Sequence, residues 1–189
     1  MPQRVSGLAT PVRWPTFGLV GIGAAAVILV SDELLKTFVR ATLPVCNGHY
    51  LASCAHLDLA GPLRLVRTEN AGSALGYAQG LGLWIALAAV GVLLIPIYVR
   101  RLHRFGIVAA LAAGLQTGGA LGNLIDRIIL GGATDMLTLG VATVWNFADM
   151  ALVIGTIMAT VLLGTGLRKT DRTQAVEQMK RATRTREIG

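Results

Sequence analysis

The chain has 189 residues, of which 53% are hydrophobic and 14% charged, and its formal net charge is +7. Soluble domains carry about a quarter charged residues, so this composition excludes an ordinary water-soluble globule and points to an integral membrane protein. The basic excess calls for no nucleic-acid partner, because its distribution is that of a topology signal facing anionic lipid.

Four apolar runs can be drawn, at about 14–31, 81–99, 105–126 and 145–166, each near the ~20 residues with which a helix spans a ~30 Å hydrocarbon core. Residues 1–13 are short and polar, and Pro15 stands near the first helical turn, where its missing N–H is harmless. The first run continues into Asp32-Glu33 with no small-x-small cleavage site beyond it, so it reads as a retained transmembrane helix. At its far end Asp32 and Lys36 stand at i and i+4, able to pair across one turn. Spacing alone favours a solvated helix end there.

Residues 41–80 are too polar and too rich in glycine to span. Leu57-Asp-Leu-Ala-Gly-Pro and Leu63-Arg-Leu-Val-Arg alternate apolar with polar, which predicts short strands around a Gly-Pro turn, a small sheet lying on the membrane. Cys46 and Cys54 share this segment with His49 and His56. A disulfide is the favoured reading in an oxidising compartment, with free thiols and a zinc site as alternatives. In Glu69-Asn70-Ala-Gly-Ser-Ala-Leu-Gly76 the glycines Gly72 and Gly76 permit a sharp turn. Ser73 lacks a supporting histidine and is a poor nucleophile, whereas Asn70 suits a polar contact to a substrate backbone.

The second run is aliphatic scaffold, and the turn Arg100-Arg-Leu-His-Arg104 is solvated and basic. In the third run Gly114, Gly118 and Gly122 form a small-residue stripe at four-residue spacing, which allows close helix packing. Twenty-two residues at ~1.5 Å each carry the chain from Phe105 across the core, so that Asp126 and Arg127 emerge at its end. Residues 130–144 read as a second outer loop, broken by Gly131-Gly132, and the fourth helix is expected to begin near Trp145, with Asp149 one turn inside it. Of the 17 Lys and Arg, twelve flank the runs on one side: Arg4, Arg13, Arg100, Arg101, Arg104 and seven after residue 166. By the positive-inside rule both termini are cytoplasmic.

Three of the few acids, Asp126, Asp135 and Asp149, fall within residues 118–149, and two of them share the frame Asn-x-x-Asp: Asn123-Leu-Ile-Asp126 and Asn146-Phe-Ala-Asp149. Residues i and i+3 share a helix face, which places each Asn near its own Asp. A carboxylate at the edge of a bilayer is costly and is paired, wetted or chemically employed. Two of these aspartates are therefore expected to form a catalytic pair at a membrane surface. A proton or ion path through a small transporter and a scaffold closed by salt bridges compete with this. The first wants acids deep in the membrane, where none occur, and the second leaves the repeated Asn-x-x-Asp without a reason.

Taken together, Asp32-x-x-x-Lys36, Asn70-Ala-Gly-Ser-Ala-Leu-Gly76, Gly118-Gly-Ala-Leu-Gly-Asn-Leu-Ile-Asp-Arg127 with Asp135 beyond it, and Asn146-Phe-Ala-Asp149 resemble, in order, four boxes of the lipoprotein signal peptidases (signal peptidase II), bacterial membrane aspartyl proteases. The resemblance covers about residues 18–165. It implies an all-α membrane fold of four transmembrane helices with a small extracytoplasmic β-sheet and a short outer helix. One protease domain would occupy 1–166, with outer loops 41–80 and 130–144, followed by a basic cytoplasmic tail at 167–189. It implies Asp135 and Asp149 as the catalytic dyad; Asn70, Gly72, Asn123, Asp126, Arg127 and Asn146 as substrate-binding or orienting neighbours; and Asp32 and Lys36 as structural. The implied substrate is a diacylglyceryl prolipoprotein cut before its lipidated Cys, in contact with membrane lipid, by a monomer that uses no metal or other cofactor. Leu75 stands where the family usually has Phe, the interval from Asp135 to Asp149 is shorter than common and the loop around Cys46 and Cys54 longer, differences that bear on substrate gating and loop shape.

Overall fold

The structure is a computed structural model that describes residues 13–46, 53–70, 98–140 and 143–166. Helix α1 runs from Trp14 to Thr42 with Pro15 in its first turn. It outlasts the apolar run by more than ten residues, and Asp32 and Lys36, expected at a solvated end, are both fully buried in its body. Leu, Glu and Lys are good helix formers, and the buried charges find partners on other elements, so neither propensity nor solvation stops the helix at Ser31.

Residues 98–102 are helical and pass through a single 3-10 turn, His103–Phe105, into helix α2, Gly106–Leu130. Gly131 closes α2 in the left-handed region, φ 80°, with its N–H on the Arg127 carbonyl, the conformation for which glycine carries no steric cost. Helix α3 spans Phe147–Gly166. The stretches Trp14–Thr42, Tyr98–Leu130 and Phe147–Gly166 are each long and apolar enough to cross a membrane. Nearly all of the apolar run at 81–99, the segment expected to hold a short outer helix and the tail from 167 lie outside the described residues.

Four strands form one antiparallel sheet in the order β1-β2-β3-β4: Leu57–Ala60, Leu63–Asn70, Ala133–Thr138 and Val144–Trp145. The first two are the hairpin that the alternation predicts, turning at Gly61 with φ 53°. The last two show strands within and just beyond the segment 130–144 read as an outer loop, and α3, expected near Trp145, starts at Phe147. All six residues of β3 are buried. A strand covered on both faces loses the polar-apolar alternation that marks a half-exposed one, so Ala-Thr-Asp-Met-Leu-Thr carries no strand signal.

Between Leu65↔Leu137 and Thr68↔Asp135 the register of β2 against β3 slips by one residue, with Val66 and Arg67 opposite Met136 alone. Such a bulge exchanges the faces of the strand beyond it. Leu65 and Val66 are accordingly both buried although adjacent, and Thr68 and Asn70 share the face of Asp135. Val39 and Leu43 of α1 pack on Leu65, Met136 and Leu137 of the sheet. Arg67 fastens the same junction, donating from Nη1 to the carbonyls of Arg40 and Leu43 at 3.1 and 3.4 Å. Cys46 and Cys54 are joined in a disulfide, Cα atoms 5.4 Å apart, which resolves the alternatives left open for this pair. At the far end of the bundle Phe17, Leu102, Phe105 and Ala159 pack together, and Trp14 stacks on His103 with ring centroids 3.7 Å apart.

The glycine stripe is a packing device. A Cβ on Gly114 would lie 2.5 Å from the Gly21 carbonyl oxygen, one on Gly118 2.5 Å from that of Ala25, and one on Gly122 2.7 Å from Asp32 Oδ2. Three successive turns of α2 thus lie directly on α1. We expect Gly118→Val to lower the thermal midpoint of the detergent-solubilised protein, at a cost of about 1–3 kcal/mol or more from overpacking. Gly18→Ala, in a position with nothing within 4 Å, leaves the midpoint unchanged or slightly raised.

Candidate active site

At the end of the bundle where α1 and α2 finish and α3 begins, a buried polar network grows from Lys36. Its ammonium is ion-paired with Asp32 Oδ2 at 2.6 Å and Asp126 Oδ2 at 3.0 Å and donates to Asn123 Oδ1 at 3.4 Å. Asp32 Oδ1 accepts from the backbone N–H of Ala148 at 2.9 Å, holding the first turn of α3 against α1. Asp126 Oδ2 accepts from the Thr134 N–H at 2.9 Å and its Oδ1 from Arg40 Nη1 at 3.1 Å. Arg40 also donates to Thr134 Oγ1 at 3.1 Å, which anchors the start of β3.

The two Asn-x-x-Asp frames behave differently. Asn146 precedes α3 and caps it: its Oδ1 accepts from the Asp149 N–H at 2.7 Å, and Asp149 Oδ2 faces the Asn146 N–H at 3.4 Å, a reciprocal capping box. Asn123 lies inside α2, where backbone donors are already used, and it meets Asp126 at the shared Lys36 ammonium. Asn123 Nδ2 donates to Asp149 Oδ1 at 2.7 Å, and Asn123 Oδ1 accepts from Asn146 Nδ2 at 2.9 Å. Asn146 thus bonds directly to its own Asp, whereas Asn123 is linked to Asp126 through Lys36.

Asp135 enters from β3. Asn146 Nδ2 donates to its Oδ1 at 2.7 Å and Asn70 Nδ2 to its Oδ2 at 3.1 Å, while Thr68 Oγ1 donates to its backbone carbonyl at 3.2 Å. Asn146 thereby bonds to both Asp135 and Asp149, bringing together two acids 14 positions apart in sequence. Asp135 is 5% exposed. Burial, reinforced by the negative charge of Asp149 and opposed by the amides of Asn70 and Asn146 and by the charge of Lys36, pushes its pKa up to about 6. Two carboxylates so placed do not ionise together easily, and such a pair can hold one proton while offering one base.

Of the residues singled out in sequence, Asp32, Lys36, Asn70, Asn123, Asp126, Asp135, Asn146 and Asp149 meet in this network, and Arg127 turns its Nη1 onto the Asn123 carbonyl at 3.0 Å. Gly72 lies outside the described residues. Sequence reasoning passed over Arg40, Thr68 and Thr134. Arg40 had a signal, since Asp32, Lys36 and Arg40 form one stripe at i, i+4 and i+8; the two threonines had none. Among the described residues no group of three or more His, Cys, Asp or Glu has the arrangement of a metal site. A shallow groove lined by Ser31, Leu34, Leu35, Phe38 and Phe147 runs past the first turn of α3.

Residues 24–164 match the family model described as signal peptidase (SPase) II. The chain is 34% identical over 160 residues to a lipoprotein signal peptidase of Rhodococcus jostii, covering 82% of this chain and 77% of the relative. It is 30% identical over 141 residues to one of Syntrophomonas wolfei, covering 75% and 90%. Among solved structures it is similar to a bacterial membrane enzyme determined by the in meso method at 2.3 Å resolution, with a TM-score of 0.69 and 20% identity over 88% of this chain and 96% of that one.

Since the charge of Asp149 helps raise Asp135, Asp149→Asn is expected to bring the pKa of Asp135 below about 6. Carboxylate infrared or 13C titration of the folded variant measures it; an unchanged value means that the two acids do not sense each other.

Proposed function

The chain belongs to the signal peptidase II family, and from that membership we propose that Asp135 and Asp149 are the acids with which it works. It is a membrane aspartic endopeptidase that removes the signal peptide from prolipoproteins. The observation that carries the dyad is Asn146 bonded to both acids in one buried network, with the pKa of Asp135 raised to about 6.

In this reading Asp135, in the drier setting, holds the shared proton. Asp149 occupies the first turn of α3, where the helix dipole favours negative charge, and acts as the base. It takes a proton from a water whose oxygen bonds to the scissile carbonyl carbon, while Asp135 donates to the carbonyl oxygen. When the C–N bond breaks, the departing amine leaves with a proton and the pair returns to its starting state. Asn70, Gly72 and Arg127 are assigned to the substrate backbone and lipid ester groups.

We further assign four transmembrane helices within one domain over residues 1–166, with both termini cytoplasmic and the site at the outer face of the bacterial inner membrane. This rests on the basic residues gathered at the opposite end and in the 167–189 tail. The substrate's apolar helix and acyl chains then enter from the bilayer along the groove at Leu34, Phe38 and Phe147. The bond cut is the one before the diacylglyceryl-modified Cys, and the enzyme works as a monomer.

Purified protein in detergent should release the signal peptide from a diacylglyceryl-modified prolipoprotein, whereas Asp135→Asn and Asp149→Asn, folded as judged by melting curves, lose about 10²–10⁴-fold or more in turnover. An active Asp135→Asn removes the dyad. The ionisation of Asp135 fixes the sign of the pH dependence: its proton is lost as pH rises through about 6, so kcat/KM of the free enzyme falls on the alkaline side. That limb belongs to the pair as a unit.

A further inference from the structure

Building on the dyad reading, the remaining question at this site is what Lys36 does. No bond joins it to Asp135 or Asp149. Two of its three bonds, to Asp32 and Asp126, join opposite charges, and Asp126 has Arg40 as a second cation. The third bond, to Asn123 Oδ1, adds nothing to charge balance, but it bears on which way the Asn123 amide points. An ammonium only donates, so a carbonyl oxygen is the one end of the amide that can face it. The NH2 is then turned onto Asp149 Oδ1, and the same oxygen receives Asn146 Nδ2, whose other N–H reaches Asp135 Oδ1.

We propose that Lys36 is a positioning residue for the hydrolysis: by orienting and polarising Asn123 it directs, through Asn123 and Asn146, one amide N–H onto each of the two aspartates. Its positive charge also acts on the pair through space, opposing the proton affinity of Asp135. Among the described residues, the charged groups around the pair are Asp32, Glu33, Lys36 and Arg40 from α1, Asp126 and Arg127 from α2, and the two acids themselves. On β2, Glu69 is engaged with Arg67 at 2.7 Å. Among the described residues, Lys36 donates to the side-chain oxygen of Asn123, whereas Arg127 Nη1 reaches the Asn123 backbone carbonyl.

The rival view is that Lys36 serves only to neutralise Asp32 and Asp126, and the two views part on a charge-balanced variant. Lys36→Met and Asp32→Asn/Lys36→Met are assayed on the diacylglyceryl-modified prolipoprotein beside wild type and Asp135→Asn, with rates taken per folded enzyme. Lys36→Met should lose at least about tenfold in kcat with KM within about twofold, and its alkaline limb in kcat/KM should move to higher pH, because a cation that opposes protonation is gone. The double variant, which removes one charge of each sign, should keep the kcat loss. Wild-type kcat and an unmoved pH profile in the double variant overturn the proposal.

Asn123→Asp reads the same chain without altering Lys36. It keeps an oxygen toward the ammonium and sends no N–H to Asp149, so it should reproduce the kcat loss even where the Lys36 variants do not fold; wild-type turnover there also overturns the proposal. Cleavage by Asp135→Asn defeats the dyad reading itself, whereas an inactive Asp135→Asn beside a fully active double variant defeats only the inference about Lys36.

Discussion

A lysine ammonium with no exposed surface sits where α1, α2 and α3 converge, and the arrangement of that end of the molecule depends on it. Burying a charge is expensive unless it is paired and its donors are all used. Lys36 is paired with two carboxylates and donates to one amide oxygen. Each partner then carries the constraint outward: Asp32 to the backbone of Ala148 at the head of α3, Asp126 to the backbone of Thr134 at the head of β3, Asn123 to Asp149. Three segments far apart in sequence are held in mutual register by one cation.

Such a network is possible only because the helices lie close. Gly122 stands against Asp32 Oδ2, and Gly118 and Gly114 continue the contact along α1 toward the other end. A methyl group on Gly114 or Gly118 would force the backbones apart, and one on Gly122 would press on Asp32 Oδ2 itself, lengthening bonds whose strength falls steeply with distance. The sheet completes the enclosure from one side. Its bulge after Leu65 turns Thr68 and Asn70 onto the face of Asp135, so one extra residue in β2 decides whether that acid has an amide partner from the hairpin. The low dielectric that raises the proton affinity of Asp135 and the amide bonds that fix its orientation therefore share one origin, close packing around polar groups that satisfy one another.

Much of this was legible in the linear sequence, for reasons that can be given residue by residue. Apolar runs mark α1, α2 and α3 because a hydrocarbon core demands uninterrupted apolar surface. The hairpin at Gly61-Pro62 follows from alternation on either side of a turn, and the stripe Gly114, Gly118, Gly122 announces close packing. Asn146-x-x-Asp149 is a local motif, since a capping box is closed within four residues, and it appears as expected. Asn123-x-x-Asp126 has the same spelling within a continuous helix, and there both side chains reach to other elements and meet at Lys36. Asp32 and Lys36 misled, since an ion pair at i, i+4 looks the same whether it faces water or a neighbouring helix.

The sequence by itself determined that this is a membrane protein whose spans end in acids and amides, and, through the order of its motifs, the family to which it belongs. Periodicity and local spacing are properties of a few consecutive residues, and they survive in one dimension. Only the tertiary structure decided that Lys36 is the hub, that Arg40, Thr68 and Thr134 join the site, that residues 133–138 form a strand, and that Asp135 faces Asn70 and Asn146. Each of those depends on contacts between elements tens of residues apart, set by helix approach distance and by a one-residue slip in strand register, neither of which leaves a local trace in the chain.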